Sequence, residues 1–236
     1  MIQAERPGLR YQLKDFKYNS HYWILKLLSE AKQPLRILDI GTADGYLGAI
    51  LKDRGHYLVG VENDEALAIR ARCHYNQFYI ADVEEFDFPF HDEFDYVLFA
   101  DTLEHLKQPG EVLRRALSVL KNTGEAVVSV PNIANLFIRL SLLAGRFDYG
   151  ERGILDKTHL RFFTLRTVAD LLESCGCRIV EVIATPAPIQ LILPFTRWPL
   201  FNALHEIHFG LTRIWKRLFG YQFVIRVKRA AEPVSN

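Results

Sequence analysis

Three cysteines, Cys73, Cys175 and Cys177, are all that 236 residues contain. So few make no disulfide framework, and their spacing fits no zinc-ligand pattern. Cys175 and Cys177 are separated by a single glycine, too close for an unstrained bridge. All three read as reduced thiols in a reducing, cytoplasmic compartment. Long apolar runs are missing too. No stretch approaches the roughly 20 residues of a membrane-spanning helix. The opening Met1-Ile-Gln-Ala-Glu-Arg6 lacks the apolar segment of a secretory signal. The third absence is an excess of charge. Net charge is +1, which leaves no global electrostatic footprint for nucleic acid. The charge is unevenly placed, however. Residues 185–236 hold seven Lys/Arg against two Asp/Glu, net +5, so the remainder carries −4. No internal repeat or low-complexity tract interrupts the chain. With 49% hydrophobic residues it can bury a sizeable core, and its length suits one domain over 1–236.

What is present is organised around residues 36–48, Arg-Ile-Leu-Asp-Ile-Gly-Thr-Ala-Asp-Gly-Tyr-Leu-Gly. Ile37, Leu38 and Ile40 read as a buried parallel strand. Gly41 and Gly45 follow, then a helical apolar pattern through Leu47, Ile50 and Leu51. A strand, a glycine turn and a helix place a ligand site at the strand's carboxyl end. The turn carries no Lys-Ser or Lys-Thr pair, which excludes a phosphate loop, and it does not match G-x-G-x-x-G. Asp39 and Asp44 would repel a pyrophosphate and suit a cation.

The spacing Asp39-x-Gly41-x-x-x-Gly45 resembles the first motif of class I S-adenosylmethionine-dependent methyltransferases. Ala43 stands where that family often has a third glycine, and its small side chain is expected to be tolerated. A second strand, 57–61, ends in Glu62, about 20 residues after the turn, where an acid can accept both ribose hydroxyls of a nucleoside. A third, 77–81, ends in Asp82, the position that in this family lies near the adenine amino group. The resemblance thus implies S-adenosylmethionine as cofactor and its demethylated product, S-adenosylhomocysteine. It implies contacts from Asp39, Gly41, Thr42, Ala43 and Gly45, from Glu62 and Asn63, from Asp82 and Val83, and from Ala100 and Asp101.

Strands at 94–100, 125–130, 178–185 and 222–229 complete the pattern. Helices are expected at 18–31, 64–73, 110–120, around 136–143, and at 165–174, the last capped by Thr164 and stopped at Gly176. Strands alternating with helices give a doubly wound parallel sheet of the α/β class. The family implies seven strands in the order 3-2-1-4-5-7-6. Residues 94–109, 128–132 and 156–164 resemble one bacterial branch of the family in particular. That branch is often encoded near or fused to glycosyltransferases and is related to ubiquinone-biosynthesis O-methyltransferases. Residues 1–34 read as a loosely structured start and a helical cap. Residues 133–163 exceed a usual connection and read as a substrate lid.

Methyl transfer to a hydroxyl needs alignment and a base. His159, in the lid, and His105, just past the fourth strand, are the candidate catalytic residues; the plainer alternative for His159 is loop anchoring, and for His105 it is capping the next helix with Glu104 and bonding locally. Arg146, Arg161 and Glu104 are candidate acceptor contacts; Arg139 and Arg152 share the lid. Asp101-x-x-Glu104-His105 with His159 resembles the metal set of some related methyltransferases, but Asp101 is a shorter carboxylate than that set carries. No metal is therefore assigned. The expected acceptor is a sugar or lipid-linked glycan intermediate. A quinone or phenolic precursor is the rival, and a non-catalytic scaffold at a membrane the other. His21 and Tyr22 either lean over the cofactor or pack.

Residues 186–220 form an insertion of about 35 residues where the family usually has a short hairpin. Leu200, Leu204, Ile207, Leu211, Ile214, Trp215 and Leu218 recur at three- and four-residue steps, with Arg213, Lys216 and Arg217 beside them. Trp198, Phe201, Phe209 and Phe219 flank that stripe, and residues 189–195 form an apolar stretch before it. The stripe is expected to pack on its own sheet or form a homodimer seam. The alternative is peripheral contact with the inner face of a membrane through 198–219.

Overall fold

The computed structural model describes residues 18–187 and 199–230, with the backbone alone for 199–204. The sheet has seven strands in the order β3-β2-β1-β4-β5-β7-β6, as expected. They are β1 (Arg36–Ile40), β2 (Tyr57–Glu62), β3 (Gln77–Ile80), β4 (Phe94–Ala100), β5 (Leu120–Pro131), β6 (Cys177–Thr185) and β7 (Gln222–Arg229). β1 to β5 run parallel, with Leu38 paired to Val59 on one side and to Val97 on the other. β7 is antiparallel to both β5 and β6. β5 begins five residues before the expected Glu125, because Leu120 already pairs with Phe94 ahead of a register shift.

Helices cover both faces. They are α1 (Ser20–Leu28), α2 (Tyr46–Asp53), α3 (Glu65–Ala71), α4 (Pro109–Ser118), α5 (Leu136–Leu143), α6 (Leu165–Ser174), α7 (Pro199–Ile214) and α8 (Lys216–Phe219). Leu38, Ile40, Val59 and Phe99 pack with Leu113 of α4 and Leu172 of α6. Ile37, Leu58, Leu98 and Val224 pack with Leu28 of α1 and Leu51 of α2. Successive strand residues thus feed opposite layers, as a period of two requires. Thr164 accepts from the Thr167 backbone N–H in a capping box, and Gly176 at φ +79° ends α6, both as the sequence indicated.

The insertion departs from expectation. Its helical stripe is interrupted at Trp215, which lies between α7 and α8. The face of α7 that is buried is His205, Phe209 and Thr212, at i, i+4 and i+7. Ile207, Leu211, Ile214 and Trp215 stay exposed, so these four side chains of the predicted stripe do not pack on the sheet, whereas Leu218 is half-buried. A helix apolar on more than one side gives no periodic signal for which side is covered. The expectations for residues 1–17, 189–195 and Trp198, and for the side chains of Leu200, Phe201 and Leu204, fall outside the described residues.

Candidate active site

After Ile40 the chain turns left-handed three times, at Gly41 (φ +75°), Ala43 (+48°) and Gly45 (+80°). A Cβ on Gly41 would lie 2.8 Å from Thr102 Oγ1, and one on Gly45 would lie 2.6 Å from Ala71 Cα. Thr102 Oγ1 in turn donates to the Ile40 carbonyl at 2.8 Å. The turn is therefore pinned between the end of β4 and the end of α3, and glycine is the residue that fits. Ala43 does carry a Cβ in this region, at a cost of about 1–2 kcal/mol. Its N–H donates to Glu62 Oε2 at 2.8 Å, which offsets that strain.

The carboxylates stand around this turn. Glu62 is buried, and its Oε1 accepts from the N–H groups of Asn63 and Asp64, both at 3.0 Å. Three of its roughly four acceptor positions are thus engaged by backbone, leaving one for an incoming hydroxyl. Burial raises its pKa, against the pull of those three bonds. Asp39 is buried as well. Its Oδ2 accepts from the Tyr75 O–H at 2.6 Å, and its Oδ1 has no partner among the described residues. Burial pushes the Asp39 pKa up to about 6, with the Tyr75 bond opposing and the Glu62 charge adding. At β4's end Asp101 adopts φ +56°, another strained residue. Ser129 Oγ donates to Asp101 Oδ1 at 2.6 Å, and Gln222 Nε2 donates to Oδ2 at 3.1 Å. Asp82, at the end of β3, is exposed and accepts from the Glu84 N–H at 2.9 Å.

A cavity of about 860 Å³ opens over these strand ends. It is bordered by Asp39, Gly41, Thr42, Ala43, Glu62, Asn63, Asp82, Val83, Ala100 and Asp101. Gly45 is absent from its wall; its place is structural, against Ala71. An acid-lined cradle with an unpartnered buried carboxylate oxygen suits a ligand bearing an ammonium and a sulfonium. One consequence is measurable. A cation near Asp39 requires its ionised form, so affinity for S-adenosylmethionine should fall about tenfold per pH unit below pH 6. Calorimetry from pH 5 to pH 8 checks this, and Asp39→Asn should flatten the dependence.

His105, His159 and Glu104 share the same cavity. His159 Nδ1 lies 3.0 Å from the Ile154 carbonyl. His105 Nδ1 lies 3.2 Å from the Thr158 carbonyl. A carbonyl can only accept, so each Nδ1 carries a proton, and where the imidazole is neutral the lone pair is left on Nε2. Burial lowers the His159 pKa below 6.5, with the nearby His105 adding to the effect and the Ile154 bond opposing it. The rings meet edge-on at 4.9 Å. Glu104 is buried, and its Oε2 has no partner among the described residues. Burial, then the charges of Asp101 and Asp156, drive its pKa well up, against the pull of a backbone hydrogen bond. Glu104, His105 and His159 each bring a ligand atom within 4.8 Å of the others. Asp101 is not in that group; its two oxygens accept from Ser129 and Gln222.

The lid arginines divide. Arg152 borders the cavity, whereas Arg146 and Arg161 do not. Arg146 is exposed in the loop after α5, and the Arg161 guanidinium donates to the Lys107 carbonyl. His21 does reach the cavity, and burial lowers its pKa against the pull of Asp101 and Asp44. Tyr221 and Gln222, at the start of β7, also border it without having been singled out from the sequence. β-rich composition marked that strand, but nothing local showed that its first residues reach across to Asp101.

Residues 11–182 match the family described as a methyltransferase domain. A probable S-adenosylmethionine-dependent methyltransferase of Mycolicibacterium smegmatis is 23% identical over 178 residues, 75% of this chain and 64% of that protein. A ubiquinone biosynthesis O-methyltransferase of Bradyrhizobium diazoefficiens is 35% identical over 104 residues, 42% of this chain and 40% of that protein. The chain thus spans less than two thirds of either relative. Among solved structures, an S-adenosylmethionine-dependent methyltransferase from Archaeoglobus fulgidus superposes with a TM-score of 0.63 at 20% identity, covering 89% of this chain and 92% of that one. The 1,6-didemethyltoxoflavin-N1-methyltransferase of Burkholderia thailandensis, solved with S-adenosylhomocysteine, gives 0.58 at 19% identity, covering 91% and 80%. The match over 11–182, on a sheet of this order with an acid-lined glycine turn, means that the chain belongs to the methyltransferase-domain family of class I S-adenosylmethionine-dependent enzymes.

Proposed function

We propose that the protein methylates an oxygen, the hydroxyl of a sugar or of a lipid-linked glycan intermediate, with His159 as the base. The observation that carries this reading is the His159 imidazole, neutral and with Nε2 unprotonated, sharing one cavity with the glycine turn. The cofactor supplies an electrophilic methyl group. Asp39, the turn and Glu62 would hold it, with Asp82 and Val83 on the adenine side. His159 Nε2 would take the acceptor's proton as the acceptor oxygen bonds to the methyl carbon and the methyl–sulfur bond breaks, its electron pair staying on sulfur in the departing S-adenosylhomocysteine. The Ile154 carbonyl steadies the imidazolium through Nδ1–H. Arg152 and Glu104, which line the cavity, would face the acceptor, Arg152 as a guanidinium suited to a phosphate or carboxylate and Glu104 as a buried carboxyl. Arg146 and Arg161 contribute there only after a lid movement.

A phenolic or quinone-precursor oxygen is the second reading, favoured by the 35% identity with a ubiquinone biosynthesis O-methyltransferase. The two separate in a screen that follows isotopically labelled methyl transfer to polyols, glycans and catechols. Labelling of catechols alone overturns the sugar reading. Labelling of nitrogen acceptors alone overturns both. The screen run with EDTA also tests Glu104, His105 and His159 as a cation site. With His159 as the base, turnover is expected unchanged by the chelator. Abolished turnover, restored by manganese or magnesium, would replace the base with a bound cation.

A further inference from the structure

We infer that the outer face of α7 and α8 is a docking surface for an anionic lipid bilayer. Four large apolar side chains lie exposed there: Ile207 at 60%, Leu211 at 41%, Ile214 at 85% and Trp215 at 58%. Ile207, Leu211 and Ile214 stand at i, i+4 and i+7 of α7, so they form one face, opposite the buried His205, Phe209 and Thr212, and Trp215 follows at the break before α8. The helix is anchored to its own domain by one side and presents a second apolar side to solvent. Apolar surface of that kind marks an interaction site.

The charge identifies the occupant. Residues 207–220 contain Arg213, Lys216 and Arg217 and no Asp or Glu. Arg213 and Arg217 are exposed, and neither has an ion-pair partner among the described residues. Lys216 is turned inward, donating to the Val182 carbonyl at 2.5 Å. An apolar stripe with aromatic and cationic flanks matches an anionic interface. A two-fold pairing through the same face would set Arg213 and Arg217 against their own copies, with no acid in the segment to neutralise them.

A second element adjoins the first. Asn135, the N-cap of α5, donates through Nδ2 to the carbonyls of Phe219 (3.3 Å) and Gly220 (2.9 Å). α5 exposes Phe137 at 72%, Leu140 at 55% and Leu143 at 85%. Residues 136–147 again hold cations, Arg139 and Arg146, and no acid. Two adjoining helices thus repeat one chemistry, exposed apolar side chains fringed by arginines that have no ion-pair partner among the described residues. Among the described residues no helix is long and apolar enough to cross a membrane, so the contact is with the surface. Arg152, Tyr221 and Gln222, which border the cavity, lie in the same stretches of chain as these elements.

Flotation of the full chain with phosphatidylcholine vesicles, with and without phosphatidylglycerol, tests this. The protein should rise with the anionic vesicles at low salt and stay behind with phosphatidylcholine alone. Binding should weaken as salt screens it. Arg213→Glu with Arg217→Glu should cost at least about tenfold in partitioning, and Leu211→Asp with Ile214→Asp should abolish it. Cofactor affinity and melting temperature serve as controls for folding. If a variant fails to fold, Trp215 fluorescence decides: a blue shift on adding anionic vesicles, lost in Trp215→Phe, supports docking. No flotation at low salt overturns the inference, as does flotation that both double variants retain. A solution dimer split by Ile214→Asp would assign the face to a second copy instead. None of these outcomes touches the methyl-transfer assay, so the proposed acceptor chemistry stands or falls separately.

Discussion

Alanine at position 159 is expected to lower turnover by about 10²–10⁴ while cofactor affinity stays near that of the unaltered protein. The expectation rests on where the proton sits. The Ile154 carbonyl, 3.0 Å from Nδ1, fixes the tautomer that leaves Nε2 basic. Burial then lowers the pKa below 6.5, so the ring is unprotonated at neutral pH. The sign of the pH dependence follows: kcat/KM rises with pH through that lowered value and is flat above it. In His159→Ala the rising limb should vanish along with the rate. His105→Ala should do less, because that ring bounds His159 edge-on at 4.9 Å and helps keep it neutral without being held by an interior carbonyl. Rates and pH profiles of both variants in the labelled-methyl assay measure the difference. Full turnover in both would leave alignment of the two reactants as the source of catalysis. A phenolic acceptor would soften the His159 effect, since a phenol gives up its proton more readily than a sugar hydroxyl.

Much of this site could be read before the fold was known, for a physical reason. The cofactor-side residues follow strand ends: Asp39 after β1, Glu62 closing β2, Asp82 after β3, Asp101 after β4. Each strand carries its own apolar run and its own stop, so local sequence suffices to place them. Tyr75 was missed for the converse reason. Its hydroxyl reaches Asp39 from a position 36 residues away, and the space for its ring is made by Gly48 and Gly60. A Cβ on Gly48 would lie 2.4 Å from that ring. Neither glycine sits in the turn that drew attention. Gln222 and Tyr221 were likewise invisible, because only the antiparallel pairing of β7 with β5 carries them to Asp101. The amphipathic insertion misled differently. Periodicity located an apolar face on α7 but could not tell that His205, Phe209 and Thr212 would be the face covered. Tyr18 stacks on His205 at 4.3 Å, a contact between the two ends of the described chain that no local pattern encodes. The same limit applies to Arg161, whose neighbours in sequence suggested a substrate clamp, whereas the fold lends it the Lys107 carbonyl.

Glu62→Ala should weaken S-adenosylmethionine binding by about 1.5–3 kcal/mol, the range for a hydrogen bond to a charged group. That is roughly a 10- to 150-fold rise in Kd. The structure adds a second effect that the sequence did not foretell. Glu62 accepts from the N–H groups of Ala43, Asn63 and Asp64. Removing it leaves Ala43 in its left-handed conformation without the bond that holds it there. The variant should therefore melt earlier than the unaltered protein even with no ligand added. Glu62→Gln is no gentler, because one amide end would turn N–H toward backbone N–H. Asp82→Ala supplies the contrast. Asp82 is exposed and accepts only from Glu84, so its loss should weaken the cofactor with little change in melting. Calorimetry and thermal melts on the two variants then separate ligand contact from turn support. Unchanged affinity in Glu62→Ala would show that the acid serves the turn alone, and the ribose contact would have to come from elsewhere in the cavity.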